Sequence, residues 1–351
     1  MGQYSGLSPS SESSARTSTR QSGIALSVII PFYNEEAVLS EFHRRLVPVL
    51  ETLNETLDIV SEILYIDDGS CDRSFDIIQS FSPTVCDVLC IRLSRNFGKE
   101  AAMSAGLEHS SGAAVVLLDA DLQDPPELIP SMLDTWRRGF DVVNMQRRKR
   151  QGERWLKRFS AAVYYRLLNA MAHSDIPENV GDFRLLDRQV VDHINQMPEK
   201  NRYMKGIFSW PGYRQTNVLF DRDPRFCGET KWNFFKLLGL AADGITSFSI
   251  RPLRLATVLG TLIALSAFFY GSAVIVKTLL FGEVVTGYPS LMVVQLGLGG
   301  IQLLSVGLLG EYIGRIFIET KGRPLYLTQD VTKKTAVVKR SALRSVARHV
   351  A

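Results

Sequence analysis

The chain has 351 residues, 46% hydrophobic and 22% charged, with a formal net charge of +4. That length allows one large domain with an appendage, or two domains, and the mild excess gathers in a basic tail after Glu311 that could meet nucleic acid or an anionic membrane surface. The four cysteines, Cys71, Cys86, Cys90 and Cys227, form no CxxC pair, which excludes a cysteine-built metal centre and reads as reduced thiols acting as buried small hydrophobes.

In chain order, residues 1–23 are rich in Ser, Thr, Gly and Arg with no apolar core, and read as a disordered tail. Residues 24–250 alternate strand and helix. "LSVIIPFYNEE" is an apolar strand over 26–30 that breaks at Pro31, with a helix from about Glu36. "IVSEILYIDDGS" repeats the pattern and ends in Asp67-Asp68-Gly69. "VLCIRLSRNFGKEAAMSAGLEHS" is a third strand with an Ala-rich helix. "AAVVLLDADLQDPPELIPSMLDTWRRG" is a fourth strand and helix, and "FDVVNMQR" a fifth strand. This alternation predicts an α/β fold with a doubly wound, mainly parallel sheet, whose ligands sit at the carboxyl ends of the strands.

Polar residues gather at those ends. Pro31, Tyr33 and Glu35 follow strand one, and Asp67 and Asp68 follow strand two. Asn96 and Lys99 follow strand three, Asp119, Asp121 and Gln123 strand four, and Arg147 strand five. No GxGxxG follows the first strand and no GxxxxGK[ST] occurs, which disfavours dinucleotide and P-loop sites. The Asp-x-Asp at a strand end suits a hard divalent cation, Mg²⁺ or Mn²⁺, bridging carboxylates to phosphate oxygens. Asp124 and Glu127 read as helix starters beside Pro126.

"ERWLKRFSAAVYYRLLNAM" spaces Trp155, Phe159, Val163, Leu167 and Met171 four apart among Arg154, Lys157, Arg158 and Arg166. Residues 153–172 therefore read as a helix in a membrane interface, against the alternative of an ordinary core-facing helix. Residues 231–247 are a second such candidate. Residues 255–276 and 284–310 carry no charge, and each exceeds the roughly 20 residues that span a bilayer. They predict a two-helix transmembrane hairpin over 251–320. Arg251 and Arg254 before it and a basic tail over 321–351 place both ends in the cytoplasm.

"SVIIPFYNEE", "YIDDGSCDRS", "RNFGKEAAMSAGL", "LDADLQDPPE" and "GDFRLLDR" together resemble the inverting family-2 glycosyltransferases of GT-A fold. The branch they are most similar to makes polyprenyl-phosphate hexoses: bactoprenol glucosyltransferases and dolichol-phosphate mannose synthases. The resemblance covers residues 26 to about 320. It implies a GT-A catalytic domain followed by two transmembrane helices, in a multi-pass protein of the bacterial inner membrane with its catalytic domain cytoplasmic. It implies that Pro31, Tyr33, Glu35 and Asp67, with Asp68, Lys99, Asp119 and Ala120, bind the nucleotide sugar. Asp119, Asp121 and Gln123 would surround Mg²⁺ or Mn²⁺ on the diphosphate. "RFCGETKW" matches the family's basic loop, so Arg225 and Lys231 would close on phosphates, although Cys227 stands where the family often has a small residue.

Breaking a sugar–diphosphate bond leaves a charged nucleoside diphosphate, which a divalent cation with Arg and Lys stabilises. A lipid phosphate is already an anionic nucleophile, so the site needs cations to position it, and Arg147, Lys157, Arg158 and Ser160 are the candidates. Asp182 is a further catalytic candidate, to orient a sugar hydroxyl or act on the acceptor. Its plain reading is a structural pairing with Arg184 or Arg188. The expected reaction moves glucose from UDP-glucose to polyprenyl (undecaprenyl or decaprenyl) phosphate for cell-envelope glycan modification, in a membrane-bound homo-oligomer, with no nucleic acid as partner beyond the nucleotide donor. The alternatives are a GDP-mannose-dependent mannose synthase, an amino-sugar transferase and, last, a processive polysaccharide synthase. Further spans, enough to form a channel, would mark the last of these, and none is found.

Overall fold

The computed structural model describes residues 26–148, 180–200, 202–223, 251–281 and 287–336. At its centre stand β1 (Leu26–Phe32), β2 (Ser61–Asp67), β3 (Asp87–Leu93) and β4 (Ala114–Leu117), every one of them built on the apolar runs. They are parallel in the order β4-β1-β2-β3. β1 is buried along its whole length, as a strand covered on both faces must be. Its Pro31 has no N–H to give to a sheet. The Ile29 carbonyl accepts from Leu118 on the β4 side, so the Pro31 nitrogen points the same way, beyond the last β1–β4 pair at Ile29 and Leu117. Proline thus sits where β4 has already left the sheet and costs no ladder bond.

Alternate residues of these strands feed two cores. Val28, Ile30 and Phe32 join one with Leu39, Phe42, Leu46 and Leu50 of helix α1 (Leu39–Leu57). Ile29, Leu64 and Ile66 join the other with helix α3 (Lys99–His109). Between α1 and α3 lies the short helix α2 (Ser74–Ser80). α3 lies close to the sheet because Gly106 offers no Cβ to meet the Ile29 side chain. A 3₁₀ turn (Pro126–Leu128) and helix α4 (Ile129–Arg137) follow β4, and Trp136 of α4 donates to Asp187 at 2.8 Å.

The sheet is mainly parallel, as expected, but mixed: among the described residues it has eight strands in the order β7-β5-β6-β4-β1-β2-β3-β8, and only β6 and β8 run against the others. After β5 (Val142–Arg147), β6 (Val180–Asp187) runs antiparallel between β4 and β5. Helices α5 (Arg188–Gln196) and α6 (Met204–Ser209) then pack on the α3 face, and β7 (Gln215–Phe220) pairs parallel with β5. Because β6 is reversed, its first residues come to the mouth where β1 to β4 end.

Two long helices follow, α7 (Arg251–Phe281) and α8 (Tyr288–Thr320). Among the described residues, one helical stretch is long and apolar enough to cross a membrane, Gly297–Thr320, and none of it is buried in the chain. The shorter apolar stretch of α7 is Gly260–Tyr270. Of the two expected spanning helices, one described stretch thus qualifies by length and composition, and it runs past the uncharged residues 284–310 to include Glu311, Arg315 and Glu319.

Part of the expected basic tail belongs to the sheet. β8 (Thr328–Lys334) pairs antiparallel with β3 as an edge strand. The cysteines divide: Cys86 and Cys90 are buried, which pushes their thiols up to about 12 and about 11, while Cys71 is exposed.

Candidate active site

The loops after β1 and β2 are stitched together through their backbones. Asn34 takes a left-handed conformation (φ 54°), and its N–H donates to Ser70 Oγ at 3.0 Å. Its side-chain oxygen accepts from the Cys71 N–H at 2.9 Å, and the Glu35 N–H donates to Ser74 Oγ at 2.9 Å. Tyr33 is left at the mouth, 38% exposed, while Pro31 is buried within its strand. Asp67 is fully buried: Oδ1 accepts the Ser70 N–H at 2.8 Å, and Arg92 Nε lies 3.3 Å from Oδ2. Burial raises the Asp67 pKa against the pull of Ser70 and Arg92.

Asp68, expected at the sugar nucleotide, also fixes a local turn. Its two oxygens accept the Phe97 N–H at 2.7 Å and the Gly98 N–H at 3.0 Å. This fixes the turn that presents Lys99 as the first residue of α3.

Lys99 is the hinge of the site. Its ammonium lies 2.6 Å from Asp119 Oδ1 and 2.5 Å from Asp182 Oδ2. Burial works against that charge, but Asp119 and Asp182 outweigh it and raise the Lys99 pKa. Burial likewise opposes the Asp182 carboxylate, yet Lys99 and Lys205 hold its pKa well below the usual carboxylate range. Of the two partners in the plain reading of Asp182, Arg184 contributes its charge nearby but bonds elsewhere, and Arg188 also bonds elsewhere. Arg184 donates to the Gly181 carbonyl at 2.7 Å and lies 4.1 Å over the Phe208 ring. Arg188 reaches the Gly112 carbonyl at 2.8 Å, beside the first residues of β4 and away from the mouth.

The Asp-x-Asp turn is tight. Leu122 has φ 59°, and Asp121 Oδ1 accepts the Gln123 N–H at 3.1 Å. The Ala120 side chain packs into the core, so only its backbone is open to a ligand. Gln123 is nearly buried and Asp124 wholly so. Burial and then Asp119 raise the Asp124 carboxyl to about 6. Arg147, at the end of β5, lies against Gly181, where a Cβ would stand 2.8 Å from its guanidinium.

Among the described residues no group of three His, Cys, Asp or Glu could hold a metal by itself. The donor set at Asp119, Asp121 and Gln123 is all oxygen, and Asp124 adds a buried carboxylate whose oxygens have no hydrogen-bond partner among the described residues. Hard oxygens of this kind fit Mg²⁺ or Mn²⁺ that takes its remaining ligands from phosphate and water.

Several residues of this site escaped the sequence reading. Arg222, after β7, lies 3.7 Å from Asp121 and 3.5 Å from Asp124. Lys205 and Glu100 act on the charge of Asp182. Glu100 had a local signal, since it adjoins Lys99 at a helix start; the others come from distant segments. The remaining expectations, Arg225, Lys231, Lys157, Arg158, Ser160, Cys227 and the helices at 153–172 and 231–247, lie outside the described residues.

Glu100 makes a pH test. Burial and then Asp182 raise its carboxyl from 4.5 to about 7, while Oε2 accepts the Met204 N–H at 3.2 Å. The folded protein then holds more protons than the unfolded one between those values, so this group's contribution to stability falls as pH rises through that window. Glu100→Gln keeps the acceptor and is expected to flatten the decline in melting temperature between about pH 5 and 8. An unchanged decline in the variant would refute the assignment.

A family model described as Glycosyl transferase family 2 matches residues 27–194. An uncharacterized glycosyltransferase of Synechocystis sp. is 51% identical over 308 residues, 88% of this chain and 96% of its own. A prophage bactoprenol glucosyl transferase homolog of Escherichia coli is 46% identical over 310 residues, 88% of this chain and 99% of its own. The bactoprenol glucosyl transferase of Shigella phage SfV is 45% identical over 311 residues, with the same coverage. Among solved structures, glucosyl-3-phosphoglycerate synthase from Mycobacterium tuberculosis, with Mn²⁺, UDP-glucose and glycerol 3-phosphate, is 17% identical. That likeness covers 70% of this chain and 84% of the other with a TM-score of 0.44, too loose to transfer a ligand.

Proposed function

The chain belongs to glycosyl transferase family 2 and is a glycosyltransferase, and on that premise we propose that it moves glucose from UDP-glucose to polyprenyl phosphate, inverting the anomeric carbon. The observation that carries the acceptor is the length of the likeness to bactoprenol glucosyl transferases. At 310 residues it is too long to stop short of α7 and α8. The helices that would meet a lipid are thus shared along with the catalytic part.

In this reading an acceptor phosphate oxygen attacks the anomeric carbon as the bond to the diphosphate oxygen breaks, and the electron pair leaves with UDP. The nucleophile is already anionic, so no strong general base is needed. Asp119, Asp121 and Gln123 would hold Mg²⁺ or Mn²⁺, whose charge offsets that of the leaving diphosphate. Tyr33, Glu35 and Asp67 face the donor nucleoside, with Pro31 shaping the strand end behind them. Arg147, with Lys157, Arg158 and Ser160, receives the acceptor phosphate, and Arg225 and Lys231 close on the donor. Asp182, kept ionised by Lys99 and Lys205, is a poor proton acceptor at neutral pH. It serves better as a fixed hydrogen-bond acceptor for a sugar hydroxyl, and Lys99 holds it in place.

The unburied apolar stretch Gly297–Thr320 supports a bilayer setting. The basic residues flanking α7 and α8 favour a catalytic part on the cytoplasmic side of a bacterial inner membrane. Two crossings and a homo-oligomer complete the reading.

Membranes holding the protein, given polyprenyl phosphate and radiolabelled UDP-glucose, GDP-mannose or UDP-N-acetylglucosamine in turn, test it. Label is expected in the extracted lipid from UDP-glucose alone. Lipid labelled from another donor would reassign the sugar, and no lipid label from any donor would overturn the acceptor.

A further inference from the structure

Arg222 stands between two carboxylates without bonding closely to either. Its guanidinium is 3.7 Å from Asp121 Oδ2, and its Nε is 3.5 Å from Asp124 Oδ1. That Nε is buried, and among the described residues it has no hydrogen-bond partner; the same holds for both Asp124 oxygens. Asp124 is fully buried, so water does not balance its charge. An arginine that belonged permanently to this pair would close to a forked bond at roughly 2.8 Å.

The position of Arg222 is nonetheless built in. The next residue, Asp223, donates its N–H to the Gln123 carbonyl at 3.1 Å. The Asp223 carboxylate lies 3.3 Å from Arg45 of α1, and Arg45 grips Glu127 through two bonds at 2.9 and 2.8 Å. The segment after β7 is thus pinned to both sides of the Asp-x-Asp turn, and Arg222 is delivered to its acidic oxygens. Segments 98 and 101 positions apart meet to put one cation on carboxylates placed to bind another.

We propose that Arg222 is a counter-cation that competes with the divalent ion for Asp121 and Asp124 in the free protein and turns to the diphosphate when the donor binds. This rests on the metal reading given above. With the donor absent, the guanidinium and the metal share one set of carboxylates, and each charge opposes the other. With the diphosphate present, Arg222 gains a second anion and releases the first. Metal and nucleotide then strengthen each other's binding, by the same factor in either direction. Such coupling keeps the free enzyme from loading metal without its sugar nucleotide.

The test measures Mn²⁺ binding by calorimetry, with and without UDP, on the full-length protein. Arg222→Gln is expected to bind Mn²⁺ about tenfold more tightly than wild type without UDP, as loss of one opposing charge implies. UDP should then tighten Mn²⁺ binding less in the variant than in wild type. Arg222→Lys, which keeps the charge, should stay near wild type. Asp223→Asn, at an exposed position, loosens the anchor of Arg222 and should shift Mn²⁺ affinity in the same direction by less. This variant answers the question even where Arg222→Gln fails to fold. Unchanged or weaker Mn²⁺ binding in the variants without UDP overturns the inference and leaves the metal reading standing. No Mn²⁺ binding by wild type in the presence of UDP overturns both.

Discussion

Asp121→Asn is expected to lower turnover by about 10²-fold or more, with the melting temperature held or slightly raised. The turn does not depend on the charge. Asp121 Oδ1 accepts the Gln123 N–H at 3.1 Å, and asparagine keeps an oxygen there. The buried Asp124 carboxylate would also lose a like-charged neighbour. What disappears is one anionic ligand for a divalent ion, and with it the charge that steadies the departing diphosphate. Turnover measured beside a thermal melt separates this from unfolding. Near-wild-type turnover in the variant, or full activity of the wild type in excess EDTA, would contradict the metal assignment.

Deleting residues 322–351 is expected to abolish activity and drive the protein to aggregate, whereas deleting 337–351 leaves both properties intact. The first deletion removes β8, which pairs with β3 from Thr328 opposite Leu93 to Lys334 opposite Val88. It also removes the Tyr326 hydroxyl donating to Glu108 at 2.5 Å, the Leu327 carbonyl accepting from Ser94 at 2.8 Å, and the Lys333–Asp87 pair at 3.5 Å. An apolar β3 edge would then be free to pair with other chains. β3 also carries Arg92, which lies on Asp67, and it leads into the turn that Asp68 holds in front of Lys99. The edge strand therefore supports both the donor side and the central lysine of the site. The measurements are the fraction of protein remaining dispersed in detergent, its melting temperature, and lipid labelling. A long deletion that matches the full chain in all three would refute this role for β8.

Both results bear on what can be read along a chain. The central strands were legible because each is a short apolar run ending in turn residues, a signal carried within a few positions. Their order placed Tyr33, Asp67, Lys99 and the Asp-x-Asp at one mouth, since parallel strands joined by helices all end on the same side. The helices α7 and α8 were legible for the same local reason, a long stretch without charge.

β6 and β8 were not. "GDFRLLDR" carries a family motif but no strand signal, because it mixes charged and apolar residues and its identity comes from lying between β4 and β5. Its reversed direction is what carries Asp182 to the mouth. "TQDVTKK" has no apolar pattern at all. It is a strand because β3 presents free backbone groups to it, and an edge strand needs hydrogen bonds more than a buried face. The side-chain partnerships were equally hidden. Lys99 meets Asp182 across 83 positions, and Arg45 meets Asp223 across 178.

The sequence by itself determined the parallel core, the acidic turn after β4, the long apolar helices and the family. The tertiary structure alone decided which charges meet: Lys99 between Asp119 and Asp182, Asp68 on the turn before α3, Arg222 over Asp121 and Asp124. Apolar burial is written in local periodicity and survives reading one residue at a time. An ion pair depends on two separate segments arriving at the same place, and that is set by strand register and direction, which no single segment contains.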